Sequence, residues 1–194
     1  MISALILAAG ESKRMGQSKM LLPWGNRTVL EQVISVFSGA GITDILVVTG
    51  GARSQVEAIL ARYQVRTIYN EGYETGEMLS SLQCGLRHLA GGDAAAALVG
   101  LGDQPQVQER SVRLVCETFM QTRSPLVIPS YQMRRGHPWL VSRPLWGDLL
   151  QMNSSQTPRD FLDTHASYIH YVDVETASIL ADLDTPEDYR SSCP

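Results

Sequence analysis

The alternation of apolar runs with amphipathic segments constrains this chain more than any single motif. ISALILAA opens it as a continuous apolar run of strand length, and continuity without polar alternation marks a strand covered on both faces. Residues 28–40, TVLEQVISVFSGA, then place Val29, Leu30, Val33, Val36 and Phe37 at helical spacing and stop near Gly39 and Gly41. The pattern repeats. DILVVTGG precedes SQVEAILARY, in which Ser54 is placed to cap a helix and Val56, Ile59 and Leu60 share one face. VRTIYN precedes a loop and a helix that ends at Gly91 and Gly92, AAAALVGLGD precedes a helix over Gln108 to Thr122, and PLVIPSY follows as another strand. Strand and helix in this rhythm predict an α/β fold, a mainly parallel central sheet with helices on both faces. In such sheets ligands gather beyond the carboxyl ends of the strands.

After residue 130 the rhythm fails. MRRGHPWLVSR reads as a hairpin or extended ribbon, two short helices follow, and YIHYVDVE is a late strand. This tail is expected to be a C-terminal ribbon and lid inserted on one domain, residues 1–194, because too few residues remain for a second core. A chain of 194 residues, 44% hydrophobic and 19% charged, fits one globular domain. MISALILAAG has no basic leader and runs at once into a charged loop, so a mature cytoplasmic protein is expected. No apolar run approaches the roughly 20 residues of a membrane span. Cys84, Cys116 and Cys193 form no CxxC pair, and His88, His137, His165 and His170 form no HExxH, which removes the usual zinc sites. A net charge of −4 argues against a nucleic-acid surface.

The loop GESKRMGQSK at the end of the first strand carries the first candidate chemistry. Gly10 lets backbone N–H groups approach a ligand without a Cβ in the way, and Ser12, Arg14 and Lys19 add a hydroxyl and cations. The loop is not a Walker A motif, since Gly10 and Gly16 are one residue too far apart and Gln17 stands where a lysine belongs. It is not GxGxxG either, because Ser12 and Met15 take the later glycine positions. A phosphate-binding loop and an ordinary solvated turn are equally compatible with this spacing. Asp103 follows a buried strand directly, where a carboxylate either faces the carboxyl-end crevice or makes a turn. In DLDTPEDY, Asp184 either supplies a second carboxylate or caps the helix that Pro186 opens. Ser80 and Ser81 stand at a helix start, where one of them caps by default. Arg134, Arg135 and His137 surround Gly136 in the ribbon, as solvated cations or as an anion site.

The stretch LAAGESKRMGQSKMLLPWG resembles the signature of the MobA-like nucleotidyltransferases, and TGG, NEGYETGEMLSSLQCGL, LGDQP, RRGHPWLV and DLDTPEDY follow in the family's order. The resemblance runs from residue 5 to about residue 189. It implies a Rossmann-like nucleotidyltransferase fold, with residues 1–105 as a nucleotide-binding half and 106–194 as an acceptor-binding half. LAAG, GEMLSSLQCGL and GHP most resemble the branch that transfers cytidylate to molybdopterin, whereas the guanylyl branch tends to carry glycine where Ala9 stands. SSQTPRDFL and GHPW depart from that branch. By resemblance, Asp103 and Asp184 hold Mg²⁺, with Asp182 a weaker candidate, and Arg14 and Lys19 stabilise charge on the α-phosphate and leaving group beside Asp103. Leu7, Ala8, Ala9, Gly10, Ser12, Gly16, Gly76, Ser80 and Ser81 hold the nucleotide, and Arg135 and His137 meet the acceptor phosphate. The implied partners are CTP, a molybdopterin-type phosphorylated acceptor, and a molybdoenzyme or its chaperone as recipient. GTP, a sugar or alcohol phosphate acceptor, and a non-catalytic nucleotide-binding module are the alternatives.

Overall fold

The protein is described as a computed structural model over residues 1–10, 16–74 and 78–194, so the roles expected of Ser12, Arg14 and Gly76 lie outside the described residues. Strand β1 (Ile2–Ala8) is buried along nearly its whole length. Because side chains alternate across a sheet, Ala4, Ile6 and Ala8 join one apolar layer, while Leu5, Leu7 and the following Ala9 join the other. A small hairpin of β2 (Pro23–Trp24) and β3 (Arg27–Thr28) leads into α1 (Val29–Gly39). The TVLE sequence starts that helix with a reciprocal cap: Glu31 N donates to Thr28 Oγ1, and Thr28 N donates to Glu31 Oε2 at 2.7 Å. Strand β4 (Ile45–Thr49), α2 (Arg53–Leu60) and β5 (Arg66–Tyr69) come next. Ser54 does not cap α2; Ala52 holds the cap position and Ser54 lies inside the helix.

Helix α3 (Met78–Ala90) crosses β1 closely at Gly85, where a Cβ would lie 2.2 Å from Leu5 Cδ1. Glycine at that position is what lets the helix seat. Strand β6 (Ala96–Leu101), α4 (Glu109–Thr122), β7 (Leu126–Tyr131), β8 (Arg134–Arg135), β9 (Trp139–Ser142), α5 (Trp146–Gln151), α6 (Pro158–Thr164), β10 (Ile169–Asp173) and α7 (Pro186–Ser192) complete the order. One apolar layer packs α1 and α4 on the sheet through Leu30, Ile34, Phe37, Val112 and Phe119. The other packs α3, α5 and α6 through Leu82, Leu86, Leu149 and Phe161.

The described residues form an eight-stranded sheet in the order β10-β7-β9-β6-β1-β4-β5, with β8 paired to β7. It is mainly parallel with helices on both faces: β5, β4, β1 and β6 run parallel, as do β7 and β10. The exceptions are β8, antiparallel to β7, and β9, antiparallel to both β6 and β7. The segment expected as a ribbon and lid therefore divides. Its first part, β8, stays at the rim, but WLVS enters the middle of the sheet with all four residues buried. The physical reason is local: a two-residue connection out of β7 folds the chain back, and a strand returning that way must be antiparallel. Two apolar layers then cover it, which a lid strand would not need.

Candidate active site

The parallel strands bring their carboxyl ends to one edge, where Ala9 and Gly10 follow β1, Asn70 follows β5 and Asp103 follows β6. Lys19 reaches the same edge from the other side of the loop. It opens a single 3₁₀ turn, Lys19–Leu21, whose Met20 is only 3% exposed and anchors the turn in the core. Its ammonium forms an ion pair with Asp103 and lies 3.2 Å from Asp184 Oδ1. The Lys19 and Asp103 side chains are mostly enclosed, at 13% and 15% exposure, whereas Asp184 at 54% faces solvent. Burial works against the lysine charge, but the Asp103 and Asp184 carboxylates outweigh it and the Lys19 pKa is raised.

The carboxylate of Asp184 arrives here because Leu183 is fully buried against Leu22, Trp24 and Val29. Leu183 N also donates to the Asp103 carbonyl at 3.2 Å, which ties the C-terminal segment across the end of β6. Asp184 is not a helix cap. Thr185 caps α7 through reciprocal bonds with Asp188, which leaves the Asp184 carboxylate for the cleft. Asp182 accepts a 2.7 Å bond from Gln104 Nε2. Its pKa is raised, first by lost hydration in the crowded cleft and then by the negative charge of Asp103, although the residue keeps contact with solvent. Ser18 Oγ and Gln104 Oε1 are buried without a hydrogen-bond partner among the described residues. Among the described residues no group of three or more His, Cys, Asp or Glu side chains is placed to hold a metal ion, so Asp103 and Asp184 could offer Mg²⁺ two carboxylates, with the orphaned Gln104 Oε1 next to Asp103 in sequence.

A cavity of about 240 Å³ opens next to this cluster, and Leu7, Ala9, Gly10, Lys19, Ser81 and Asp103 are among its lining residues. Six of the residues singled out in the sequence thus line one cavity, and Asp184 joins them through Lys19. Three others stand apart. Ala8 faces the opposite layer by strand alternation. Ser80 shares hydrogen bonds with Asn70 rather than lining the cavity, as donor at 3.2 Å and as acceptor at 2.9 Å. Gly16 has φ of +69° with open space around it, so left-handed backbone is what demands glycine there.

Arg135 and His137 line a second cavity of about 800 Å³ together with Trp139, Arg159 and Leu162. Met78, at the start of α3, lines both cavities and marks where they adjoin. Arg135 is engaged already: its Nε donates to Tyr171 OH at 2.9 Å and its Nη1 to Asp163. Burial opposes its charge, and those two bonds more than offset it. His137 carries the opposite perturbation. Burial lowers its pKa to about 4, so the imidazole is neutral at pH 7 and offers a hydrogen bond rather than a charge. A histidine whose folded pKa lies below the ordinary value of 6.5 contributes full stability above pH 6.5 and loses it as pH falls toward 4. At roughly 1.4 kcal/mol per pKa unit, His137→Gln should remove at most about 3 kcal/mol of acid-side destabilisation. Urea unfolding at pH 7 and pH 4.5 measures it; an unchanged difference between the two pH values would show that the ring is solvated.

The sequence profile described as the MobA-like NTP transferase domain matches residues 4–169. The chain belongs to this family. It is similar to the molybdenum cofactor cytidylyltransferase of Escherichia coli K12, 28% identical over 189 residues that cover 97% of this chain and 93% of the relative. It is also similar to the nicotine blue oxidoreductase of Paenarthrobacter nicotinovorans, 29% identical with 97% and 95% covered. Among solved structures, a manganese complex of Rv0371c from Mycobacterium tuberculosis H37Rv superposes with a TM-score of 0.81 at 26% identity, covering 99% of this chain and 97% of that one. No helix among the described residues of this MobA-like chain is long and apolar enough to cross a membrane.

Several residues of the site escape a reading of the sequence. Asn70 is buried and donates to both Ser80 and Ser81, at 2.9 and 3.1 Å, so it orders the start of α3. Its signal is a polar residue placed directly after a short strand. Gln104 holds Asp182 from within LGDQP, and Asp163 and Tyr171 occupy Arg135 from elements far along the chain. Nothing in local spacing announces those last two contacts.

Proposed function

We propose that this nucleotidyltransferase-family chain moves CMP from CTP to the phosphate of a molybdopterin-type acceptor and releases pyrophosphate. The carrying observation is the Lys19 ammonium seated between Asp103 and Asp184 at the mouth of a cavity lined by Ala9, Gly10 and Ser81. A nucleoside triphosphate carries about four negative charges, and its α-phosphorus is attacked by a further anion, so the site must neutralise and align. Lys19 does the first as a cation held charged by its carboxylate neighbours. Asp103 and Asp184 would hold Mg²⁺, which when bound supplies further neutralisation of phosphate charge. The manganese complex of the Mycobacterium tuberculosis relative supports a divalent cation in this fold. By resemblance, Arg14 and Ser12 add donors from the preceding loop.

An oxygen of the acceptor phosphate forms the new bond to the α-phosphorus as the α–β bridging bond breaks, and the electron pair leaves with pyrophosphate. A phosphate monoester is already anionic, so no general base is required. That suits a site whose neighbouring histidine, His137, is neutral and half-buried at the wall of the acceptor cavity. The acceptor cavity supplies Arg134 and Arg159 for the incoming phosphate, since Arg135 is tied to Asp163 and Tyr171. By resemblance Ala9, where the guanylyl branch tends to carry glycine, favours CTP, and Ala9 is among the residues lining the nucleotide cavity. The oxidoreductase among the relatives shows that the family name does not fix the reaction; the Lys19, Asp103 and Asp184 grouping is what favours nucleotidyl transfer here.

The test is pyrophosphate release from each nucleoside triphosphate with Mg²⁺ and molybdopterin. CTP should be used at least about tenfold faster than GTP, a discrimination that differential pocket contacts readily supply. Equal or faster release from GTP would sink the base assignment. Tight nucleotide binding with no pyrophosphate from any acceptor would favour a binding module instead.

A further inference from the structure

The two-residue turn between β7 and β8 holds both of its central residues in left-handed backbone, Gln132 at φ +49° and Met133 at φ +66°. Paired positive φ angles match the twist of a tight hairpin, and glycine, asparagine or aspartate adopt them with least strain. This chain uses glutamine and methionine. Packing does not account for the choice, because Met133 is 94% exposed. Yet Met133 lines the cavity of about 800 Å³ with Arg134 beside it, and Met78, Trp139 and Leu162 supply apolar wall. A single exposed methionine is ordinary on a protein surface. One held on strained backbone at the mouth of a ligand-sized cavity points to use.

We propose that the Gln132–Met133 turn is an acceptor clamp, in which the Met133 thioether covers the face of a flat heterocyclic ring on the phosphorylated acceptor. The inference rests on the transferase reading, since it names how that site chooses its acceptor. A thioether suits the task because it is polarisable, conformationally adaptable and attracted to aromatic rings. The arrangement separates two jobs. Met133 meets the ring, and the neighbouring Arg134 guanidinium meets the phosphate attached to it. An acceptor with the phosphate but no ring, such as a simple sugar or alcohol phosphate, would leave Met133 in water and gain nothing from it. Met133 is therefore a specificity-determining residue for the acceptor, with no part in binding the nucleotide.

The test uses the full chain with CTP, Mg²⁺ and molybdopterin, and compares Met133→Gly with Met133→Asn. Both substitutions tolerate left-handed backbone and both remove the apolar arm. Each should raise the acceptor KM about 5- to 10-fold while the CTP KM stays within about 2-fold. The Tm of Met133→Gly should match or exceed that of the wild type by about 2–4 °C, as expected from relieved backbone strain. Met133→Leu, which returns an apolar arm, should recover most of the acceptor affinity. An unchanged acceptor KM in Met133→Asn would overturn the clamp, since the effect in glycine would then be loop flexibility. A Tm fall of more than about 4 °C in Met133→Gly would also overturn it, by showing that Met133 is a packing residue. If the wild type transfers nucleotide to no acceptor, the transferase reading fails and the clamp with it; an active variant with unchanged acceptor KM fails the clamp alone.

Discussion

Asp103→Asn should lower kcat by about 10²–10³-fold while the chain still folds. Asparagine keeps the shape of the side chain and removes its charge, so the loss reports electrostatics rather than packing. The Asp103 side chain is mostly enclosed, at 15% exposure, and forms the ion pair that contributes most to holding Lys19 charged. Removing one partner of a partly buried pair costs about 1–2 kcal/mol here, less than for a fully buried pair because Lys19 keeps Asp184 at 3.2 Å. In a chain of this size that is a Tm fall of about 2–8 °C. A second readout has a defined sign. The negative charge of Asp103 is one of the causes that raise the Asp182 pKa, so that pKa should fall in Asp103→Asn. Wild-type turnover at saturating Mg²⁺ would overturn the role given to Asp103.

The second large effect is expected for Lys19→Met. Methionine fills much of the same volume and leaves Asp103 and Asp184 converging without a cation between them. Turnover should drop about 10²–10³-fold, since a positive charge facing the triphosphate is lost. Stability in the absence of divalent metal should also fall, because two carboxylates lose the ammonium that offsets their repulsion. The sign of the pH dependence follows from the raised Lys19 pKa: its stabilisation is present below about 10.5 and lost as pH rises through the folded value. Lys19→Met should lack that alkaline loss. Mg²⁺ should then raise the Tm of Lys19→Met by more than it raises that of the wild type, because no lysine competes for the same oxygens. Equal Tm increments in the two proteins would show that the carboxylates do not form the metal site.

Much of the site is legible in the sequence because strand order and ligand edge are coupled. Once ISALILAA and AAAALVGLGD are read as parallel buried strands, Ala9, Gly10 and Asp103 must meet at one edge, and they do. The loop lysine and the terminal DLD segment are different. Their approach to Asp103 spans about 80 residues of chain on either side, and it depends on Met20 and Leu183 being drawn into separate apolar clusters. Arg135 shows the reverse. Its pattern suits a solvated cation or an anion site, and only the resemblance gives it an acceptor phosphate; what the sequence does not show is that Asp163 and Tyr171, brought by α6 and β10, hydrogen-bond its Nη1 and Nε.

The amino-acid order by itself determines the alternating layers, the glycine-containing turns at strand ends and the positions of the candidate carboxylates, because these follow from periodicities of two and 3.6 residues and from local backbone preference. It does not determine that WLVS enters the sheet, since a short apolar run suits a rim ribbon and a central strand equally. Only the tertiary structure decides that, through the vacancy between β6 and β7 that an antiparallel return can fill with hydrogen bonds on both sides. The same holds for charge. Spacing lists which groups are ionisable, but burial and partners distant in sequence decide that His137 is neutral, Arg135 is engaged and Lys19 stays charged among acids.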